Sequence, residues 1–405
     1  MSSEPYAQTD SKTVRHPNVA ASVPNRPPAL AFMEELDHIA DAYELRHGTR
    51  AVHVSHWDPS PTMQSALGAS GVTPVSGIHD TGAPRYSRKP HRSSEVLRKL
   101  GITSADSSLL VTENGTTAVA AIANHLSLRG VSRVLLLDPY FFSTPYTIER
   151  LGLPVQLVPI EFDRGRALLP DIPLRTGDAL WITNPVFSTG LHDFELQVHD
   201  LVRTANDGIV IVSDEVFASP PTPIAAALGG HPNFVGMYSP HKPIGVNRLK
   251  FCAIVFNKAH AAAFDDWADI LCGGLSGSAI AAIDHYLSSD FDTYQDLFYR
   301  YVDEARDWHD GVVARFKDTM RTDATTKGSF LCAYAANLPQ ALGEDLGFLA
   351  RLTEASGCIV IPGGRGVDHG FHFRVNLARD CDRFRHGIVA LYEFLSHASF
   401  RYRPH

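Results

Sequence analysis

Lys242 stands in the stretch SPHKPIGVNRLK, between His241 and Pro243, with Gly245 three positions on and Arg248 and Lys250 beyond it. An isolated lysine usually only solvates a surface, so a chemical role requires other groups to converge on it. Four further stretches supply such groups. ENGTTA sets Asn114 and Gly115 ahead of Thr116 and Thr117 at the start of an apolar segment. Backbone N–H groups and hydroxyls at a helix start form an anion site suited to phosphate. DPYFF places Phe141 just after an apolar run, where a flat ring could stack on it. NPVFSTG and SDEVFA end two more runs with the amide of Asn184 and the carboxylate of Asp214. A carboxylate at a buried strand end is costly unless a cation offsets it, so Asp214 needs a protonated neighbour. Phosphate donors, a stacking ring, an amide, a carboxylate and a lysine together suit a single phosphorylated heterocyclic cofactor.

These residues sit in a chain of 405 with 44% hydrophobic and 20% charged composition, ordinary for a globular protein large enough to bury such a site. No run approaches the ~20 apolar residues of a membrane span, and the first residues lack a secretory apolar stretch, so a cytoplasmic location is expected. The five cysteines are scattered without a CxxC pair, which argues for buried thiols over disulfides or a thiolate zinc site. Twenty histidines show no HExxH or other compact ligand spacing, so no metal is expected. A net charge of -8 with no long basic block leaves nucleic acid without support as a partner.

The elements that must position the site follow from the apolar rhythm. SLLVT, RVLLLD, PVQLVPI, ALWIT, GIVIVSD and FCAIVF are six strand-length runs separated by helical segments. Apolar on both faces, they predict an α/β layered domain with a mainly parallel sheet, and ligands collect beyond the carboxyl ends of such strands. ENGTTA, DPYFF, NPVFSTG and DEVFA all stand there. Residues 1–28 read as a flexible, proline-rich arm, and ALAFMEELDHIADAYELRHG as a helix closed by a glycine. After about residue 290 come a long helix, the strand-like SFLCAYAA, CIVIP and FHFRVNLA, and a last helix, a smaller α+β pattern. The expected division is an arm over 1–28, a segment over 29–74 packing with the small domain, a large domain over 75–290 and a small domain over 291–405. Strand alternation adds His53 and Trp57 on one face of AVHVSHWDPSP, and His372 beside Arg374 on one face of FHFRVN.

In family order and at compatible intervals, NGTTA, the segment from Pro139 to Gly152, NPVFSTG, DEVF, SPHK and RVNLA resemble the class I/II aminotransferases, pyridoxal 5'-phosphate (PLP) enzymes of fold type I, over about residues 30–400. The resemblance implies a large domain with a mainly parallel seven-stranded sheet between helices, plus a smaller α+β domain. It implies that Lys242 forms a Schiff base with PLP and shuttles a proton at the substrate Cα, while Asp214 pairs with the pyridinium nitrogen. Asn184 would bond the ring hydroxyl, Phe141 would stack on the ring, and Gly115, Thr116, Thr117 and Ser239 would hold the phosphate. Arg374 matches the arginine for the substrate α-carboxylate, and Tyr86 the tyrosine that reaches a neighbouring subunit's phosphate in a homodimer.

Four positions depart from that pattern. Phe217 stands where the family usually has a tyrosine donating to the ring oxygen. Lys250 stands where it has a phosphate-binding arginine, with Arg248 two residues earlier as the competing candidate. His241 replaces a serine or threonine before the lysine and introduces a possible acid/base group. Trp57 replaces a glycine before the acidic-Pro pair and would reshape the substrate side, which His53 or His372 would also approach. The expected function is an aminotransferase acting on an α-amino acid. The alternative is a PLP enzyme of specialised metabolism that ends in elimination or replacement, decarboxylation or oxygen-dependent deamination, because ring tuning and acid/base placement decide the outcome.

Overall fold

The computed structural model describes residues 28–69, 92–163, 166–187, 194, 197–246, 249–272, 275–322, 328–335, 337–363 and 370–401. Residues 1–27, Tyr86 and Arg248 lie outside the described residues.

A seven-stranded sheet carries the site. Its spatial order is Ser107–Thr112, Cys252–Asn257, Phe234–Tyr238, Val210–Glu215, Asp178–Thr183, Arg133–Asp138 and Val155–Pro159. Only Cys252–Asn257 runs against its neighbours, pairing antiparallel with Ser107–Thr112 and with Phe234–Tyr238. The carboxyl ends of six strands and the amino end of the seventh therefore share one edge. Both faces are covered. Helix Gly115–Leu128 and helix Ala261–Trp267 lie over the face that carries Trp181, Val212, Met237 and Ile254. Helices Val198–Asn206 and Pro223–Leu228 cover Leu135, Ile182, Ile211 and Phe234 on the other. Two-sided burial explains why these strands read as unbroken apolar runs, each large side chain contributing roughly 1.5–3 kcal/mol.

The sequence runs locate six of the strands. The seventh, FVGMY, is broken by Gly236, where a Cβ would collide with the Tyr238 ring and hydroxyl. The glycine is the space that lets Tyr238 lie back over its own strand.

The remainder packs around a three-stranded antiparallel sheet of Met320–Thr322, Phe330–Ala335 and Phe371–Asn376. Helix Ser289–Arg315 buries Phe291, Tyr294, Phe298, Val302, Ala305, His309 and Val312, a stripe at three- and four-residue steps that defines its inner face. Helix Pro28–His47 lies against helix Leu346–Ser356, with Arg46 and His47 paired to Glu354. Two expected strands are shorter than their sequence suggests. AVHVSHWDPSP pairs regularly only at Val52–His53, in parallel with Cys358–Ile359, the only regular part of CIVIP. Beyond it the chain is held by single bonds: Asn376 N to the Val54 carbonyl at 2.8 Å, Asn376 Nδ2 to that of His56 at 2.7 Å and Ser60 N to that of Ala378 at 2.7 Å. No helix among the described residues is long and apolar enough to cross a membrane.

Candidate active site

One cleft opens at the shared sheet edge. It is lined by Asn114, Gly115, Thr116, Val119, Phe141, Asp214, Val216, Met237, Ser239, Lys242, Val246 and Lys250. Its cavity volume of about 140 Å³ is close to that of cavities that admit one benzene ring, a scale suited to a single heterocycle.

Helix Gly115–Leu128 starts at one end of this cleft. Asn114 is its cap, its Oδ1 accepting from Thr117 N at 3.0 Å and from Thr117 Oγ1 at 3.2 Å. The cap engages the third turn donor and leaves the N–H groups of Gly115 and Thr116 without intrahelical partners, the arrangement that attracts an anion. Lys250, exposed at the amino end of the reversed strand, adds a positive charge at the same end of the cleft. Ser239 also lines the cleft, with its hydroxyl donating to the Phe251 carbonyl at 2.9 Å.

Asp214 ends its strand opposite Thr183 and Met237. The carboxyl is buried and, among the described residues, accepts only a long bond, 3.3 Å, from Val216 N. Burial raises its pKa to about 6, against the pull of Lys242 and that bond. Glu215 points to the opposite face of the sheet, held by Thr222 Oγ1 at 2.5 Å and Ser213 Oγ at 3.0 Å, and burial raises it to about 7. Asn184 is not in the cleft wall; its buried amide lies beside Glu215 and helps to hold that carboxyl down.

Lys242 projects from a tight turn, with its N–H on the Ser239 carbonyl at 2.9 Å and its own carbonyl on Gly245 N at 3.1 Å. Gly245 has φ +69°, and a Cβ there would run into the Pro59 ring, so the turn admits only glycine. Lys242 Nζ lies 4.2 Å from the Phe217 ring centre and 5.4 Å from that of Phe141. Burial lowers its pKa to about 8, with Asp214 opposing and Arg374 assisting. The free, nucleophilic amine is thus far more populated near neutral pH than that of an ordinary lysine, though the protonated form still predominates at pH 7.

Arg374 extends from Phe371–Asn376 toward this cleft. Its Nε donates to the Ser55 carbonyl at 2.7 Å, and Ser55 Oγ donates back to the Arg374 carbonyl at 2.7 Å. Among the described residues no hydrogen bond engages its terminal nitrogens, which keeps the guanidinium fork for a ligand carboxylate. Loss of solvent lowers its pKa to about 10, so it stays charged.

The remaining expected residues lie elsewhere. His241 points away from Lys242, fully buried against Phe251 at 5.4 Å, Phe291 at 5.2 Å and His285 at 5.9 Å between ring centres. Successive residues of the turn face opposite sides, and burial lowers its pKa to about 3, so an acid/base role at the cleft does not fit His241. His372 does share a strand face with Arg374, but it is buried beneath Gly363 and beside the Tyr334 ring. His53, lowered to about 4 by burial, packs edge-on to His56, and Trp57 stacks on His56 at 6.1 Å. Neither His53 nor Trp57 is in the cleft wall, because the chain leaves the regular strand after His53 and alternation no longer sets their directions.

Sequence reasoning missed Met237, Val119, Val216 and Val246 as cleft walls and Phe187 and Phe330 near Arg374. Met237 belongs to the strand broken by glycine; the others are apolar residues whose type carries no chemical signal.

No family model matches the chain, and no curated protein sequence matches it. Solved structures do. YbdL from Escherichia coli, described with a methionine aminotransferase function, superposes with a TM-score of 0.67 at 17% identity, covering 93% of this chain and 100% of that one. N-succinyldiaminopimelate aminotransferase from Mycobacterium tuberculosis gives 0.67 at 19% identity over 88% and 96%. Aspartate aminotransferase from Thermotoga maritima gives 0.68 at 18% identity over 90% and 96%. The chain has the aminotransferase fold. At these identities the likeness speaks for architecture, and the chemistry has to be argued from the site.

Proposed function

We propose that the protein is a PLP-dependent aminotransferase acting on an α-amino acid. One observation carries the reading: a lysine with a lowered pKa, a buried carboxylate and a helix start with free N–H groups converge in one cleft on the carboxyl edge of this sheet. The residues fit the cofactor. The helix start and Ser239 suit its phosphate, with Lys250 supplying charge, and Phe141 offers a stacking ring.

When bound, PLP supplies an electron sink for negative charge at the substrate Cα. Asp214 holds a proton at the ring nitrogen, where a buried acid acts most strongly. Lys242 would hold the cofactor through its amine and would move the proton at the substrate Cα. Arg374 holds the α-carboxylate through its terminal nitrogens and so orients the Cα–H bond. Phe217 and Phe141 exclude water beside Lys242. The amino acid leaves as its 2-oxo acid, and a second 2-oxo acid takes the amino group.

A second reading rests on Phe217, which presents a bare ring 4.2 Å from the amine where the resemblance leads one to expect a hydroxyl. The same site would then end in elimination or replacement, decarboxylation or oxygen-dependent deamination. PLP-loaded protein given a panel of amino acids distinguishes the two. Amino-group transfer dependent on an added 2-oxo acid, absent in Lys242→Ala, supports transamination. Oxygen uptake, carbon dioxide or side-chain release without transfer supports the second reading. The resemblance further places Tyr86 at the phosphate of a partner subunit, which makes a homodimer part of the proposal; a monomeric sedimentation profile of the active protein would remove it.

A further inference from the structure

Four phenylalanines and two cations form a closed circuit of contacts that joins Lys242, in the cleft wall, to Arg374. Lys242 Nζ lies 5.4 Å from the Phe141 ring, and the Phe141 and Phe187 rings are 6.2 Å apart. Arg374 Cζ lies 5.6 Å from Phe187 and 5.1 Å from Phe330. Phe330 meets Phe217 edge-on at 5.4 Å, and Phe217 closes on Lys242 at 4.2 Å. All six side chains are half-buried, so each ring keeps some exposed surface, although Phe217 also packs against the core under the sheet. Large apolar side chains are normally buried, and four in one ring of contacts around a cleft mark a surface built to receive something apolar.

The charges limit what that is. Arg374 suits one carboxylate, and Lys242 is the attachment point for the amine. Arg379, a further cation on the Arg374 side, donates to the Asp58 carbonyl at 3.3 Å and has the Asp58 carboxylate as its compensating charge. Among the described residues, a second substrate carboxylate would therefore lose its water against phenylalanine faces without a further cation to replace it. A side-chain ammonium would add a third positive charge to the circuit. An aromatic side chain packs edge-to-face on such walls and gains beyond simple burial.

We propose that the circuit of Phe141, Phe187, Phe217 and Phe330 selects α-amino acids and 2-oxo acids with uncharged, apolar and preferably aromatic side chains. This rests on the aminotransferase reading and names its substrate class.

Two measurements test it. The first is kcat/KM of the PLP-loaded protein for phenylalanine, leucine, aspartate and lysine. Phenylalanine is expected to lead aspartate and lysine by about 100-fold, the scale on which an unmatched polar group is rejected. Turnover in which aspartate or lysine equals or exceeds phenylalanine overturns the substrate class while leaving transamination intact. The second is calorimetric binding of 3-phenylpropanoate, succinate and 6-aminohexanoate, with and without PLP. The aromatic acid is expected to bind at least roughly tenfold more tightly than either charged acid, on an interaction of about 1.4 kcal/mol per decade. If no amino acid turns over but this preference appears, the aminotransferase reading fails and the ligand class stands; if the preference is absent, the ligand class fails. In Phe187→Arg the order of succinate and 3-phenylpropanoate should converge or invert, and an unchanged ratio in the folded variant counts against Phe187 as a wall. The wild-type panel decides the matter should that variant not fold.

Discussion

Burying Asp214 beside Lys242 works against folding. The folded pKa of about 6 lies above the ordinary 3.8, so the native state holds that proton more tightly and stability falls as pH rises from about 4 to about 6. Asp214→Asn is expected to stabilise the PLP-free protein at pH 7.5 by on the order of 3 kcal/mol while abolishing turnover. Urea denaturation that shows the variant equal to or weaker than wild type would contradict this burial argument. For Lys242 the shift runs the other way. With its pKa near 8, the rate of PLP attachment should rise with pH and level off above about 8, and a rate still climbing toward pH 10 would mean that the amine is not desolvated. That Lys242, Asp214 and the NGTT helix start would share one cleft was legible because these residues carry their chemistry in their type, whereas Asn184 lies outside the cleft wall. His241, His53 and Trp57 were misleading for the complementary reason: type says what a side chain does when it faces a site, and only the turn and strand geometry sets where it faces.

Two elements fix the site, and each has a position that can be broken. At Gly245 the positive φ and the Pro59 ring both oppose a side chain. Gly245→Ala should cost about 2–3 kcal/mol and weaken PLP binding, because relief requires the lysine turn to move. An unchanged melting temperature and PLP affinity would show that the turn tolerates a Cβ. Asn114 is the cap of the helix that starts at the cleft. Asn114→Ala should cost about 1 kcal/mol and loosen the phosphate end, seen as weaker binding of both PLP and inorganic phosphate. The strands were readable wherever burial on both faces left an unbroken apolar run. FVGMY escaped because Gly236 interrupts it, and AVHVSHWDPSP was overread because apolar alternation persists after its pairing stops at His53.

At the scale of the molecule, the segment after Val52 is tied across to the strand that bears Arg374. Ser55, His56 and Ser60 bond to Arg374, Asn376 and Ala378, while Pro59 packs on the lysine turn. Arg374 and Lys242, the residues proposed to hold substrate and cofactor, are thus braced by the same short stretch. Asn376→Ala removes the bond to the His56 carbonyl in a buried setting and should cost about 1–3 kcal/mol. It should raise KM for the amino acid more than it lowers kcat, and a change confined to kcat would argue against this bracing. No sequence pattern announced these crossings, since they are formed by backbone carbonyls between positions more than 300 residues apart. The central claim is that Lys242 carries the cofactor. Its most direct test is to load the protein with PLP, fix the attachment with borohydride and map the modified peptide by mass spectrometry. The added phosphopyridoxyl mass is expected on Lys242 alone and to be missing from Lys242→Ala; modification of another lysine with Lys242 untouched would contradict the account.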